Sequence, residues 1–410
     1  MTLSFRAARL EDADLLGEQS IRAYPTPGAT AAQRAERYRS GRMSAIETVT
    51  IAERDGEMVG SMRTIPFTGW IGGVPTPVGG LAGVAVSPEA RQTGVAAALV
   101  RRHLEELRAA RTSWSFLYPF APRFYAKHGW APAARRLRWR LAPSALPRSP
   151  DAARARRLRL DDPSDRDAIH RAYERHCVRT NGSLSRTVEQ LVRFHEGAFV
   201  VGVPGASGLA GYLIYTIRSP TPRPQTLVVH EWVAEDGATE RVLLGFLAAQ
   251  RDQVEALTLD TAPDYPLAAL LDNGTPAVED DSLPEEHHAL AALASGLMAR
   301  IVDLGGAVAA RGYPGQRRGA VALAVTRDAL VPENVGTVTA LVEGGVAQVM
   351  TGRAAGAPLV AGPVGPLSAI LVGGVRLDES ARLGLVAVEG DVAAASALLA
   401  LPPPAPLVAF

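Results

Sequence analysis

The stretch Leu81-Ala-Gly-Val84-Ala-Val86-Ser-Pro-Glu-Ala-Arg91-Gln-Thr-Gly94-Val-Ala96 carries the clearest structural signal in this 410-residue chain. Its valines have strand spacing, and Pro88 ends the strand because proline cannot continue a central ladder. Helical spacing follows directly, with Ala96, Leu99, Val100 and Leu107 on one face. The pattern predicts a buried strand, a glycine-containing turn and the start of a helix.

The turn itself favours phosphate binding. Small residues let a backbone close on a ligand, and the free N–H groups of a new helix attract phosphate. A tight turn without any ligand is the alternative. The Arg-x-x-Gly-x-Ala arrangement between strand and helix resembles the pyrophosphate loop of the GNAT acyltransferase superfamily, which binds acetyl-CoA.

The GNAT resemblance implies a set of acetyl-CoA contacts. Residues 84–86 would hold the pantetheine and offer N–H groups to the acyl carbonyl if the strand is splayed, and residues 91–97 would hold the pyrophosphate. The candidate cofactor-binding residues are Val84, Ala85, Val86, Arg91, Gln92, Thr93, Gly94, Val95, Ala96, Ala97, Phe120 and Ala121.

Composition and charge exclude several classes of protein. The formal net charge is +1, so bulk electrostatics imply no nucleic-acid or membrane partner. No segment approaches about 20 apolar residues, so no membrane span is expected. The N-terminus has no apolar run typical of a signal peptide. We therefore expect a cytoplasmic protein.

Cysteine usage points the same way. Cys177 is the single cysteine, which excludes an internal disulfide framework and a cysteine-rich metal site. A lone thiol is a packing residue more often than a nucleophile. No metal is expected.

The chain length allows two or three domains. Residues 1–142 alternate strand and helix signals, with a hairpin around Arg54-Asp-Gly56 and a final strand over 135–141, which predicts an α/β domain. Residues 143–287 repeat this pattern without the Arg-x-x-Gly-x-Ala loop. The turn there, Glu235-Asp-Gly-Ala-Thr-Glu240, puts three acids where phosphate would sit, so we expect a degenerate copy without cofactor.

Residues 288–410 give an α+β pattern. It predicts a helix over 290–301, further helices over 366–371 and 392–399, and strands over 321–326, 335–341 and 347–350. The chain ends in Leu401-Pro-Pro-Pro-Ala-Pro-Leu-Val-Ala-Phe410, and its prolines favour an extended tail.

Acetyl transfer to an amine requires a base for the amine proton and an acid for the leaving thiolate. Tyr125, in Phe124-Tyr-Ala-Lys-His-Gly129, resembles the GNAT tyrosine beside the CoA sulfur. An unperturbed tyrosine, with a pKa near ~10, suits that acid role. Tyr118 is a weaker candidate, and simple packing under a turn is the alternative for Tyr125.

A closer resemblance covers nearly the whole chain. The segments 84–94, 124–129 and Met298-Ala-Arg-Ile-Val-Asp-Leu-Gly-Gly-Ala-Val-Ala-Ala-Arg-Gly-Tyr313 resemble the Eis family of bacterial acetyltransferases. This implies tandem GNAT folds, the second degenerate, followed by an α+β domain like sterol carrier proteins. The family also implies a homo-oligomer, typically a hexamer.

The Eis resemblance gives Phe410 a catalytic role, with its α-carboxylate threaded into the active site as the base. Such a carboxyl has a pKa of roughly 3.5, and an apolar pocket would raise it. A disordered tail is the alternative, because chain ends are usually poorly ordered.

The acceptor is the least defined part of the reaction. It is a small-molecule amine, with aminoglycosides among the candidates, or a lysine side chain. The last ten residues and the segment 19–26 contain no acid, which argues against a polycationic substrate. The aromatic pocket candidates are Tyr24, Trp70 and Trp130.

Two other functions stay open. The third domain could carry a lipid or small hydrophobe in a cavity lined by Val321, Leu323, Ile370 and Leu371. Alternatively, the chain could be a CoA-binding regulator without catalysis.

Overall fold

The computed structural model describes residues 3–41, 45–206, 208–219, 225–271, 277–278, 287–288, 290–407 and 410. The strands are β1 (Leu3–Ala7), β2 (Val49–Arg54), β3 (Glu57–Ile71), β4 (Val74–Val86), β5 (Trp114–Leu117), β6 (Ala131–Pro132), β7 (Arg135–Leu141), β8 (Arg156–Leu158), β9 (Ser183–Leu184), β10 (Phe199–Gly205), β11 (Gly208–Arg218), β12 (Thr226–Ala234), β13 (Ala256–Thr261), β14 (Ala277–Val278), β15 (His287–His288), β16 (Ala291–Ser295), β17 (Met298–Ile301), β18 (Gly319–Arg327), β19 (Gly336–Glu343), β20 (Val346–Thr351), β21 (Leu359–Pro363) and β22 (Ala387–Glu389). The α-helices are α1 (Ala13–Ala23), α2 (Ala31–Arg39), α3 (Val95–Ala109), α4 (Pro122–Lys127), α5 (Pro163–Arg179), α6 (Val188–Phe194), α7 (Gly237–Ala248), α8 (Leu304–Ala310), α9 (Val364–Leu371), α10 (Leu377–Arg382) and α11 (Val392–Leu399).

The chain divides into two units that are not contiguous in sequence. The first unit comprises residues 1–134, 181–184 and 296–410, and the second comprises 135–180 and 185–295. The first unit holds an eight-stranded sheet in the order β1-β2-β3-β4-β5-β17-β6, with β9 paired to β3, and the five-stranded sheet β20-β19-β18-β21-β22. The second unit holds a seven-stranded sheet, β16-β7-β13-β12-β11-β10-β8.

The hairpin predicted around Arg54-Asp-Gly56 is present. Strands β2 and β3 pair antiparallel from Arg54 and Glu57 onward. Asp55 and Gly56 both have positive φ angles, 54° and 84°. Two such residues form the tight turn that matches the twist of a hairpin.

Two strands occupy places that the sequence analysis did not predict. The strand over 135–141 was expected to finish the first sheet, but β7 pairs with β13 and β16 in the second unit. The helix predicted over 290–301 is wrong: this segment forms β16 and β17. Strand β17 pairs with β5 on one side and β6 on the other, so it becomes part of the first sheet.

A single apolar core joins the two sheets of the first unit. It combines Phe67, Val78 and Trp114 of the eight-stranded sheet with Val321 and Val364 of the C-terminal region. Burial of this shared surface is favourable because apolar area leaves water. The C-terminal region is therefore packed as part of the first unit.

Arg300 fixes β17 within this unit. Its guanidinium is fully buried, donates to the His128 carbonyl at 2.8 Å and to the Ile301 carbonyl at 2.5 Å, and pairs with Asp328 at 2.6 Å. It also lies 5.3 Å from the centre of the Trp130 ring. Burial lowers the pKa of Arg300 while Asp328 opposes that shift, so the charge depends on this partner.

We expect Arg300→Met to destabilise the first unit by about 3–5 kcal/mol, because Asp328 would remain buried without its cation. Arg353→Met is the matched control, since Arg353 pairs with Glu389 at 2.7 Å on the surface of the same unit. An exposed pair contributes about 1 kcal/mol or less. Urea unfolding followed by tryptophan fluorescence measures both variants, and equal losses would contradict the assignment.

Candidate active site

Strands β4 and β5 separate at the centre of the first sheet. They pair in parallel only from Val78 to Gly80, opposite Trp114 to Phe116. Beyond Gly80, residues 81–86 of β4 continue to pair with β3 alone among the described strands. We call the opening between residues 81–86 and the end of β5 the wedge. The splay that the sequence analysis required for ligand binding is present.

A bulge shapes the wall of the wedge. The β3–β4 register shifts between the Ser61–Ala85 and Arg63–Ala82 pairs, and Gly83 between them has a φ of 58°. The Tyr24 hydroxyl at the end of α1 donates to the Val84 carbonyl at 2.6 Å. This contact fixes the orientation of a peptide at which the acetyl carbonyl is expected.

The predicted phosphate loop leads into α3 with its N-terminus open. Residues 91–94 are exposed, and Gln92 and Gly94 have φ angles of 63° and 86°. Gly94 is the N-cap and provides no side-chain oxygen, and a Cβ added to it would meet nothing within 4 Å. The first-turn N–H groups therefore have no side-chain cap in the described loop, which suits an anionic ligand.

The Thr93 hydroxyl stabilises the conformation of the loop. Thr93 donates to the Ala90 carbonyl at 2.7 Å and accepts from the Arg54 guanidinium at 3.1 Å. The loop therefore keeps its shape without a side chain that caps the helix N-terminus.

The corresponding helix of the second unit has a different N-terminus. Asp236 is the N-cap of α7, and its carboxylate accepts from the Thr239 N–H at 2.8 Å. Glu235 pairs with Arg175 at 2.6 Å. A carboxylate thus already satisfies the donor and the helix dipole that a phosphate would use.

In the second sheet, a buried ion pair lies beyond the strand pairing that corresponds to β4 and β5. Strands β12 and β13 also pair in parallel over three residues, and Glu231 lies three residues beyond the last pair. Arg186 donates two hydrogen bonds of 2.6 Å to the Glu231 carboxylate, and Tyr212 donates another. Burial raises the pKa of Glu231, but Arg186 outweighs this and holds it well below its usual range.

Tyr125 lies on α4 in the same apolar cluster as Leu81 and Val84. Its side chain is 3% exposed, and its ring lies 5.8 Å from Phe120 and 6.3 Å from Trp130. Burial, with a smaller effect from Tyr24, raises the pKa of Tyr125 well above its ordinary value. The phenol is therefore protonated at neutral pH.

Phe410 lies at the closed end of the wedge. Its ring is 4.8 Å from that of Phe67 and 5.6 Å from that of Tyr118. A Cβ on Gly80 would come within 2.7 Å of the Phe410 ring, so this glycine leaves room for it. Residues 408 and 409, part of the predicted apolar tail, lie outside the described residues.

The remaining predicted site residues divide into two groups. Phe120 is 66% exposed, Ala121 precedes α4 as its N-cap, and residues 84–86 line the wedge. Trp130 is 1% exposed and lies in the same apolar cluster as Tyr125, so its place in an acceptor pocket stays a prediction. Trp70 is half-buried on β3, away from the bulge.

The contact of Tyr24 with Val84 could not be predicted from the sequence. Tyr24 was named only as a pocket aromatic, and nothing local predicts a hydrogen bond between residues 60 positions apart. Arg22 in the same segment pairs with Glu89 at 2.5 Å across the entrance to the loop.

Several other candidates turn out to be packing residues. Val321, Leu323, Ile370 and Leu371, proposed to line a lipid cavity, are each no more than 2% exposed within the core of the first unit. Cys177 is buried in the second unit, where burial raises its thiol pKa to about 12. Such a thiol is not an activated nucleophile.

No described helix is both long and apolar enough to cross a membrane. No group of three or more potential His, Cys, Asp or Glu ligands comes together in the described part of the chain.

Comparison with known families assigns all three regions. Residues 4–133 and 177–301 each match an acetyltransferase (GNAT) domain family, and residues 304–409 match the sterol carrier protein domain family. An uncharacterized N-acetyltransferase of Streptomyces coelicolor is 28% identical over 413 residues, covering 94% of each chain.

Solved structures share the complete fold. A GCN5-related N-acetyltransferase from Anabaena variabilis matches with a TM-score of 0.84 and 22% identity over 100% of both chains. One from Kribbella flavida matches with a TM-score of 0.81 and 22% identity, over 100% of this chain and 98% of that one. Eis1 from Mycobacterium abscessus gives 0.76 and 20% identity over 100% of both chains.

These matches confirm the predicted fold class and the resemblance to the Eis architecture. At these identities the structural matches establish the fold, and the domain families establish the enzyme class. The chain is a GNAT-type N-acetyltransferase with two acetyltransferase domains followed by a sterol carrier protein domain.

Proposed function

We propose that the protein transfers an acetyl group directly from acetyl-CoA to an amine in the wedge of the first domain. The observation that supports this proposal is the splay of β4 from β5 beside an uncapped helix N-terminus, with Tyr125 in the same apolar cluster as Leu81 and Val84 of β4. The amine nitrogen attacks the acetyl carbon, the carbon–sulfur bond breaks, and the amine loses a proton. Each of these events needs a group at the wedge.

Different residues of the first domain bind acetyl-CoA and stabilise the transition state. Residues 91–97 hold the pyrophosphate, and Phe120 and Ala121 flank the pantetheine. Residues 84–86 supply N–H groups to the oxygen that becomes negative as the amine attacks, while Tyr24 occupies the Val84 carbonyl. Donors aimed at that oxygen lower the barrier because the charge develops only in the transition state.

Tyr125 acts as the acid. Its phenol stays protonated at neutral pH because burial raises its pKa. A thiolate leaving into the same apolar cluster is desolvated, and its proton affinity rises for the same reason. The phenol can therefore donate to the sulfur, and solvent restores its proton after the product leaves.

The α-carboxylate of Phe410 acts as the base. Its ring packs against Phe67 and Tyr118, so the terminus is held beside the wedge. Apolar surroundings raise the proton affinity of a carboxylate toward the value that a base needs. A water between the carboxylate and the amine can relay the proton.

The acceptor we favour is an amine with low positive charge. The segment 19–26 that borders the wedge has no acid, and its Arg22 faces Glu89 in an ion pair. A polycation would meet little charge complementarity there. Neutral apolar amines are therefore expected to turn over faster than aminoglycosides.

We expect Ala96→Asp to weaken acetyl-CoA binding by at least about tenfold. The added carboxylate would repel the pyrophosphate, while its position in the first turn of α3 favours the helix dipole and preserves folding. Ala96→Asn is the isosteric neutral control. Titration calorimetry should give one acetyl-CoA per chain for the wild type, and two sites would contradict the degenerate second domain.

Tyr125→Phe should lower kcat by about 10²-fold with little change in KM for acetyl-CoA, because only proton donation is removed. Thiol release over a panel from aminoglycosides to neutral amines measures this. Tyr313→Phe is the control, since Tyr313 is a buried tyrosine of the same unit whose hydroxyl donates to the Val308 carbonyl. An unchanged kcat would remove Tyr125 from the mechanism.

Deleting Phe410 should abolish turnover while acetyl-CoA still binds, because the base is lost and the phosphate loop is intact. Gly80→Ala should lower kcat about tenfold or more, since its Cβ would lie 2.6 Å from the Phe67 ring and 2.7 Å from the Phe410 ring and would displace both rings. The adjacent Gly79→Ala is the control, because its Cβ would instead push Leu107 of α3. Full activity of the deletion variant would refute the base assignment.

A further inference from the structure

The C-terminal tail cannot be held by an ordinary strand ladder. Residues 402–406 read Pro-Pro-Pro-Ala-Pro, so Ala405 has the single backbone N–H among them. Proline offers only its carbonyl as a hydrogen-bonding group. Backbone hydrogen bonds can therefore hold residues 402–406 in place only through their carbonyl acceptors and this one N–H.

Asn181 forms hydrogen bonds with a carbonyl of the tail and with the Ala405 N–H. Its side-chain Nδ2 donates to the Pro402 carbonyl at 2.6 Å, and its backbone carbonyl accepts from the Ala405 N–H at 2.9 Å. One residue thus holds the tail at both ends of the Pro402–Ala405 stretch.

The same side chain is anchored to the rest of the first unit. Its Oδ1 accepts from the Gly72 N–H at 3.0 Å, in the turn that joins β3 to β4. Its Nδ2 also donates to the Val372 carbonyl at 2.8 Å. The side chain is buried and both of its Nδ2 protons are used, so its orientation is fixed.

The next residues keep Asn181 in register with the first sheet. The Gly182 N–H donates to the Trp70 carbonyl at 2.7 Å, and β9 pairs with β3 directly afterwards. Gly182 has a φ of 77°, and a Cβ there would lie 2.4 Å from Pro404. The tail therefore packs closely against residues 181 and 182.

We propose that Asn181 is a positioning residue that clamps the proline-rich tail and so holds Phe410 at the wedge. The proposal rests on the function proposed above, in which the Phe410 carboxylate is the base. A free chain end frays, and a base that is absent most of the time lowers kcat in proportion. Asn181 acts through the tail and touches neither substrate.

Two variants test the clamp. Asn181→Ala removes the side-chain contacts. Ala405→Pro replaces the N–H that donates to the Asn181 carbonyl with a ring carbon, so it removes the hydrogen bond and crowds that carbonyl within a tail whose extended conformation suits proline. Asn334→Ala is the matched control, because Asn334 is also a buried asparagine that accepts one backbone N–H (Leu304) and donates twice, to Val302 and Asp328. It lies in the same unit and contacts no tail residue through these bonds.

The first readout is independent of activity. Carboxypeptidase Y removes Phe410 only when the tail leaves its seat, so the release rate followed by mass spectrometry reports undocking. We expect release about tenfold faster in Asn181→Ala and clearly faster in Ala405→Pro. Asn334→Ala should release Phe410 at the wild-type rate.

The second readout is thiol release with acetyl-CoA and an amine. Both clamp variants should lower kcat about tenfold with unchanged KM for acetyl-CoA. Wild-type release and wild-type kcat in both clamp variants would overturn the proposal.

The two readouts separate the clamp from the base. Faster Phe410 release with an unchanged kcat would support the clamp and refute the terminal base. Loss of turnover on Phe410 deletion, with wild-type behaviour of both clamp variants, would support the base and refute the clamp.

Discussion

The wedge depends on the way β5 is paired. Its four residues pair with β17 over their full length, whereas β4 pairs with only three of them. Residues 81–86 of β4 lie beyond the three pairs that join β4 to β5. The opening at which chemistry is proposed is thus bordered by β5, whose full-length ladder partner β17 comes from far along the chain.

Contacts of the same strand link the C-terminal region to the candidate active site. Arg300 on β17 holds the carbonyl of His128 directly after the helix that carries Tyr125, and pairs with Asp328 of the C-terminal region. The shared core continues the same connection through Phe67 and Val364. A sterol carrier protein domain whose inner face is packed in this way supports the first domain.

The two GNAT domains differ chemically where their folds agree. Both have parallel strands that pair for three residues before a helix begins. The first places Gly94 at the helix start, and the second places Asp236 there and fills the sheet with the Arg186–Glu231 pair. The carboxylate cap stabilises the start of the helix in the second domain, and together with the buried ion pair it occupies the groups that an anionic ligand would need.

The features that sequence predicted correctly are local. The strand, loop and helix around Gly94 and the hairpin at Asp55 follow from spacing and turn chemistry within a few residues. The segment 290–301 is predicted as a helix because its apolar periodicity does not show that its two halves pair with different strands, β16 with β7 and β17 with β5. No sequence pattern predicts the hydrogen bonds of Asn181, because its partners at Gly72, Val372 and Pro402 are distant in sequence.

The composition of the tail explains how a chain end can be placed precisely. Prolines favour an extended conformation of about 3.1 Å per residue, so the tail loses less conformational entropy when it docks than a flexible segment would. A few hydrogen bonds to Asn181 can then suffice to hold it. A stiff tail with one clamp leaves only the residues after Ala405 to adjust the position of Phe410, whose ring is held by Phe67 and Tyr118.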